Sequence, residues 1–120
     1  MRQIESLMIQ EIKKQLGKPN QFKRIGSNTT VETNKSGAVI VELHGNVIAY
    51  IKPVTNSIEF HSQGSLWHSS TTFSRLNAIA RYFIGERVLW TEKLQAKVCC
   101  PSGLIRDWDI IDCCDWPITV

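Results

Sequence analysis

Four cysteines in two adjacent pairs are the residues of this sequence with the widest chemical reach, because thiolates bind metal ions and attack electrophiles. The pairs are Cys99-Cys100 and Cys113-Cys114. Zinc ribbons place two residues between paired cysteines so that both thiolates reach one ion. Adjacent residues of a strand instead point to opposite faces of the sheet. This spacing therefore favours buried or half-buried free thiols, with a metal site and a disulfide or redox role as the two alternatives.

Three histidines are the candidate general bases, and His61 and His68 flank a short Gly-containing stretch. A serine after His68, or one of the cysteines, would then act as the nucleophile. We favour ordinary polar positions, because His44 falls in a predicted turn, His61 on a predicted strand and His68 just before a predicted helix. No Gly-rich phosphate loop or dinucleotide motif accompanies them. We therefore expect no enzyme activity, no metal ion and no cofactor.

An acidic series near the C-terminus is a candidate cation site. It consists of Asp107, Asp109, Asp112 and Asp115. On a strand, two of these carboxylates would share a face and could bind Mg²⁺. The series lacks the glycine and the final glutamate of a calcium loop. We interpret it as a solvated acidic edge, which also discourages aggregation between sheets.

Basic residues gather in two regions that are candidates for binding a partner or a nucleic acid. In the first, Trp67 and His68 precede a predicted helix that carries Arg75 and Arg81. A helix N-terminus binds anions, so a phosphate contact is one interpretation, and ordinary helix capping beside a buried Trp67 is the other. The second region is N-terminal and contains Lys13, Lys14, Lys18, Lys23 and Arg24.

The charge is unevenly distributed along a chain whose formal net charge is +3. Residues 1–35 hold seven cations against three carboxylates, and residues 101–120 hold one arginine against four aspartates. We expect these oppositely charged ends to form solvated faces that attract each other. No stretch approaches the length of about 18 apolar residues that a membrane span needs. Without an export signal, the expected location is a reducing cytosol with no membrane contact.

Hydrophobic periodicity predicts two helices and several short strands. Apolar residues recur at spacings of three and four over residues 3–16 and 71–84, which is typical of amphipathic helices. Residues 17–30 are polar, basic and rich in turn formers, which indicates a linker or mobile loop. The tail over 104–116 fits either a strand or a helix. Strands are predicted over residues 38–43, 47–52, 57–62, 87–91 and 95–100.

The predicted order α-β-β-β-α-β-β indicates an α+β fold. We expect a small antiparallel sheet of about five strands, with the central helix packed on one face. The predicted organisation is an N-terminal amphipathic helix over 1–17, a basic linker over 18–30 and a single α+β domain over 31–120. The N-terminal helix either packs on that domain or reaches a partner. The open sheet face would contact solvent, this helix or another subunit, so a homo-oligomer is one expectation.

Two short motifs carry a resemblance to known proteins. The first runs Leu43-His44-Gly45-Asn46-x-Ile48-Ala49, and the second runs Gly64-x-x-Trp67-x-Ser69-x-Thr71-Thr72-x-x-Arg75-Leu76-Asn77-Ala78. Over roughly residues 38–100, the chain resembles a group of small uncharacterised bacteriophage or prophage proteins. The resemblance implies a viral origin but no activity. The residues between Gly64 and Trp67, and the cysteine-rich end, depart from the pattern.

Two functions remain in play at this point, and a thiol- or metal-dependent enzyme is a weaker third option. The first is a non-enzymatic interaction module, a phage accessory or host-defence inhibitor that binds a host protein in the host cytosol. The second is a nucleic-acid or nucleotide binder that uses the basic N-terminal region and the loop and helix from Trp67 to Arg81. If the protein is an interaction module, deletion of residues 1–18 should abolish partner capture and leave the sheet domain folded.

Overall fold

The computed structural model describes residues 3–61, 70–92, 95–108 and 113–118 of the 120-residue chain. Two helices lie in these ranges, α1 (Gln3–Gln15) and α2 (Ser70–Phe83). Neither helix in the described part of the chain is long and apolar enough to cross a membrane. The strands of these ranges are β1 (Phe22–Ile25), β2 (Thr29–Thr33), β3 (Val39–Leu43), β4 (Asn46–Lys52), β5 (Ser57–His61), β6 (Leu89–Glu92), β7 (Gln95–Cys99), β8 (Ile105–Asp107) and β9 (Cys113–Pro117).

The strands form two antiparallel sheets, which confirms the predicted α+β class. The large sheet has six strands in the order β1-β2-β3-β4-β5-β9, and the small sheet has the order β6-β7-β8. The first five strands follow one another as a meander, because short turns connect each strand to the next. Strand β9 returns from the C-terminal end and pairs with β5. The ambiguous tail is therefore extended where the structure describes it.

The region predicted as a linker over residues 18–30 is instead a hairpin. It contains β1 and the start of β2, which pair antiparallel from Phe22↔Glu32 to Ile25↔Thr29. The sequence concealed this because β1 is exposed at all residues but Ile25. Strand β2 buries two threonines beside Val31, so neither strand shows the apolar alternation that predicts a half-buried strand.

Helix α1 packs on the body of the protein, which settles the two options left open for it. Its Met8, Ile9 and Ile12 are buried, and it contacts α2, β1 and β2. A fully buried apolar side chain of this size contributes about 1.5–3 kcal/mol. Helix α1 is therefore part of the core, and we expect a chain without residues 1–18 to lose stability instead of keeping an independently folded sheet.

The hydrophobic core lies between the large sheet and the two helices. Alternate residues of the central strands point into it, as the period of two along a strand requires. In β3, for example, Val39, Val41 and Leu43 are buried, and the two residues between them are partly exposed. Helix α2 covers this face with Leu76 and Ile79. Other fully buried members are Val31, Ile51, Ile58 and Phe60.

The turn between β3 and β4 is the one that the sequence predicted. His44 and Gly45 have φ values of 53° and 79°, and Leu43 pairs with Asn46. Positive φ at both central residues matches the twist of the flanking strands, which is why glycine is favoured there. The first resemblance motif thus spans a hairpin.

Candidate binding groove between α1 and β1

A groove of about 300 Å³ lies between the first helix and the first strand. We call it the α1–β1 groove. Its α1 side is formed by Leu7, Gln10, Glu11 and Lys14, and its β1 side is formed by Lys23, Arg24, Ile25 and Gly26.

The backbone at Gly26 explains how the two sides come together. Gly26 has a φ of +66°, in the left-handed region that favours glycine, and it turns the chain from β1 into β2. A Cβ at this position would lie 2.8 Å from the Cδ1 atom of Ile4. The absence of a side chain therefore lets the end of β1 approach α1 closely. One wall of the groove is thus helical and the other is a strand.

The groove combines an exposed apolar residue with several cations. Leu7 is 45% exposed although it belongs to the apolar stripe of α1. Lys14, Lys23 and Arg24 are all exposed. The carboxylate among the lining residues, Glu11, accepts a hydrogen bond from Gln15 Nε2 at 2.9 Å. Such a surface suits a ligand that carries carboxylate or phosphate groups beside apolar ones.

Strand β1 also forms one edge of the large sheet. Phe22 is 62% exposed at this edge, on the sheet face opposite to the helices, since it pairs with the partly exposed Glu32. Arg24 Nη1 donates to the carbonyl oxygen of Ser27 at 3.4 Å. Phe22 therefore gives this edge an exposed apolar side chain next to Lys23.

The other predicted N-terminal cations do not line the groove. Lys13 projects from α1 toward α2, where its Nζ lies 5.1 Å from the centre of the Tyr82 ring. Lys18 follows the end of α1 and is exposed. The fold therefore divides the basic N-terminal region. Lys14, Lys23 and Arg24 line the groove, but Arg24 pairs with the partly exposed Thr30 and directs its side chain to the sheet face opposite to that of Lys23.

Arg75 is not part of any binding surface, because it is buried. Arg75 is only 3% exposed, and its Nη1 atom lies 3.0 Å from Glu5 Oε2. Its Nε donates to Thr29 Oγ1 at 3.4 Å, and the Ser74 hydroxyl donates to the same Glu5 oxygen. This cluster joins α1, α2 and β2 inside the protein. Arg75 thus connects elements of the fold and is not available at the surface.

The remaining residues predicted around α2 have different outcomes. Arg81 is exposed on α2, away from the α1–β1 groove. Trp67 and His68 lie outside the described residues, so the capping and phosphate interpretations of their loop stay predictions. Asn77, which belongs to the second motif, is buried and binds the backbone of Val88 and Leu89.

The acidic series does not form one described site. Asp107 is ion-paired with Lys97 at 2.5 Å, and this hydrogen bond raises the pKa of Lys97 above its ordinary value. Asp115 lies on β9, opposite Glu59 of β5, and Asp109 and Asp112 lie outside the described residues. Strands β1 and β9 occupy opposite edges of the large sheet. Among the described residues, Asp115 therefore does not lie beside the basic strand β1.

The cysteines and histidines show no assembled reaction centre in the described ranges. Cys99 and Cys100 are half-buried thiols, as predicted for this pair. His61 Nε2 lies 3.4 Å from Glu59 Oε2, and the backbone of Cys113 pairs with that of His61. Among the described residues, no group of three or more potential ligands could hold a metal ion.

Sequence reasoning found three cations of the groove but not the groove itself. Lys14, Lys23 and Arg24 were singled out for their charge, whereas Leu7 and Phe22 were not. The missed signal is the tripeptide Ile25-Gly26-Ser27 followed by Thr29-Thr30-Val31, in which a turn glycine precedes a β-branched run. Recognising that hairpin would have placed β1 beside α1.

Comparison with known proteins places this small α+β protein among those of phages. A sequence model of the Kyanoviridae Gp96 protein family matches residues 1–99, which is most of the chain. The chain belongs to this family. The match includes both helices and β1 to β5, so the whole α1–β1 groove lies within it. No curated protein and no solved structure matches the chain.

The family match confirms one implication of the earlier resemblance, namely that the protein is of phage origin. The two motifs that carried the resemblance are not tested by the match, and neither binding function follows from it.

Proposed function

We propose that this phage protein is a non-enzymatic interaction module that binds an acidic segment of a host protein in the α1–β1 groove. The observation that carries the proposal is that Lys14 of α1 and Lys23 of β1, two exposed cations from separate elements, line one groove together with the exposed Leu7. Binding would take place in the host cytosol and would block the surface of the host protein that carries the segment.

The composition of the groove favours a protein partner. Protein interfaces combine an apolar anchor with polar or charged residues at the rim, and the α1–β1 groove likewise combines the exposed Leu7 with lining cations. Charges at the rim mainly raise the association rate and select the partner. An acidic segment with an apolar residue beside its carboxylates would match both features.

The same groove is a weaker match for nucleic acid. Three lining cations permit few phosphate contacts, and non-specific DNA binding depends on many of them. Burial of Arg75 removes one residue from the surface that the alternative required. Nucleic-acid binding is therefore the alternative result that the test is designed to detect.

The test compares two lysine reversals in the full chain. Lys23→Glu changes a cation of the groove, and Lys35→Glu makes the same charge change at an exposed lysine outside it. Captured host proteins are quantified by mass spectrometry after nuclease treatment. We expect wild type and Lys35→Glu to capture the same protein, and Lys23→Glu to capture at least about tenfold less, since a close charge pair contributes more than about 1.5 kcal/mol.

Two results would overturn the proposal. Equal capture by Lys23→Glu and Lys35→Glu would remove the groove from the interaction. The nucleic-acid function would be favoured instead if nuclease treatment removed all capture and the protein bound random duplex DNA. Its affinity for that DNA should then fall with salt concentration, with a log–log slope of about −3.

A further inference from the structure

The outer edge of β1 carries backbone groups that are directed away from the sheet. Thr33 N donates to the carbonyl oxygen of Gln21 at 3.0 Å, just before β1 begins. In an antiparallel pair, residues alternate between those bonded to the neighbouring strand and those whose N–H and C=O groups point away from it. Counting along β1 from Gln21, Lys23 and Ile25 bond to β2, whereas Phe22 and Arg24 point to the free edge.

This edge is accessible. In the described part of the chain, no strand pairs with the outer side of β1. Phe22, Lys23 and Arg24 are all exposed, although α1 contacts β1 on the helix-covered face. Free edges of this kind accept an extended peptide, whose main chain supplies the hydrogen bonds and whose alternate side chains supply specificity.

We infer that the acidic segment binds as an added strand on the outer edge of β1, with its backbone bonded to Phe22 and Arg24. This inference rests on the proposed function and specifies how the partner is held. The segment would extend the six-stranded sheet by one strand.

The side chains on either side of this edge define the sequence that the partner needs. Lys23 pairs with the buried Val31, so it lies on the helix-covered face, where Lys14 also lines the groove. Phe22 lies on the opposite face. An added strand with carboxylates at alternate positions would meet Lys23 and Lys14, and its intervening apolar residues would meet Phe22.

A second copy of this chain fits the edge poorly. If two β1 edges paired with each other, Lys23 and Arg24 of one molecule would face the same cations of the other. Basic residues on an edge strand oppose such pairing. The same residues attract an acidic strand, so charge selects the occupant.

The first test uses a labelled eight-residue peptide of alternating glutamate and valine, with binding measured by fluorescence anisotropy. Arg24→Pro removes a backbone N–H that faces the edge and leaves the bonds to β2 in place. Arg24→Ala is the matched control, because it removes the same side chain and keeps the N–H. We expect Arg24→Pro to bind about tenfold more weakly than Arg24→Ala, since one ladder bond is lost and a partner carbonyl is left unpaired.

The second test leaves the protein unchanged. N-methylation of alternate residues blocks one hydrogen-bonding edge of the same peptide, and two such peptides methylated in opposite phase block opposite edges. Wild-type protein should bind one phase at least about tenfold more weakly than the other. This comparison remains valid if Arg24→Pro lowers the stability of the fold.

The outcomes separate this inference from the function on which it rests. Loss of peptide binding in Lys23→Glu, together with equal binding of both methylated peptides, would overturn the added strand and leave the groove intact. Failure of wild-type protein to bind the unmethylated peptide would overturn the proposed function. Self-association of wild type that Arg24→Pro abolishes and Arg24→Ala retains would overturn the choice of occupant.

Discussion

The buried ion pair between Glu5 and Arg75 gives the sharpest prediction about the fold. The two residues are 4% and 3% exposed, so replacing one removes the ion pair and leaves the other charge in the core. Breaking a buried pair in this way costs about 3–5 kcal/mol. Arg75→Met should therefore lower the free energy of unfolding by that amount, out of a total of about 5–15 kcal/mol for a domain.

The assay is urea unfolding followed by circular dichroism, with Arg81→Met as the control on the same helix. Arg81 is exposed, so its replacement should change the free energy of unfolding by no more than about 0.5 kcal/mol. The double variant Glu5→Met/Arg75→Met removes both charges, and apolar replacements of buried pairs are often neutral or stabilising. We expect the double variant to be more stable than Arg75→Met alone.

Two results would refute this reasoning. A loss of less than about 1 kcal/mol in Arg75→Met would mean that water reaches the pair, as at exposed pairs. A double variant that loses the sum of both single losses would mean that the two charges do not stabilise each other.

Two further predictions concern buried polar contacts and glycine geometry. Asn77→Ala should lower the free energy of unfolding in urea by about 2–4 kcal/mol. The Asn77 side chain bonds the N–H groups of Val88 and Leu89 and the carbonyl of Leu89, and the variant would leave these groups buried and unpaired. A loss below about 1 kcal/mol would contradict this role. Gly37→Ala should lower the free energy of unfolding by about 3 kcal/mol, and Gly45→Ala by about 1 kcal/mol. Both glycines have positive φ, but of the two only Gly37 would place a Cβ 2.8 Å from the backbone of Gly17, which adds crowding to strain. Equal melting temperatures for the two variants would be inconsistent with that contact.

Strong local patterns allowed much of the fold to be predicted. Helix α2 was expected over 71–84 and occurs over Ser70–Phe83, because its apolar stripe has a helical period. Strands β3 and β4 were found because His44 and Gly45 form a recognisable turn between apolar runs. In these segments, propensity, periodicity and turn chemistry all favour the same structure.

The β1–β2 hairpin could not be predicted in the same way. Strand β1 is an exposed edge whose residues need not alternate in polarity, and β2 buries Thr29 and Thr33 instead of large apolar residues. The hydroxyl of Thr33 accepts a hydrogen bond from Gln21 N at 2.8 Å, and that of Thr29 faces Arg75. The contacts that stabilise this hairpin are long-range, so local sequence did not reveal them.

The candidate site was only partly predictable for the same reason. Charge alone selected Lys14, Lys23 and Arg24, but it also selected Lys13, Lys18 and the buried Arg75. The distinction depends on which residues pack against α2 and which face the gap beside β1. A buried arginine is indistinguishable from an exposed one in sequence until its partner Glu5, 70 positions away, is placed next to it.

The most direct test of the groove is a nuclear magnetic resonance titration of ¹⁵N-labelled protein with the glutamate–valine peptide. If the α1–β1 groove takes an acidic segment, the largest amide shifts should fall within residues 7–14 of α1 and Phe22–Ile25 of β1. Shifts confined to β5 and β9, or no shifts at peptide concentrations of about 1 mM, where even weak binding registers, would contradict the account.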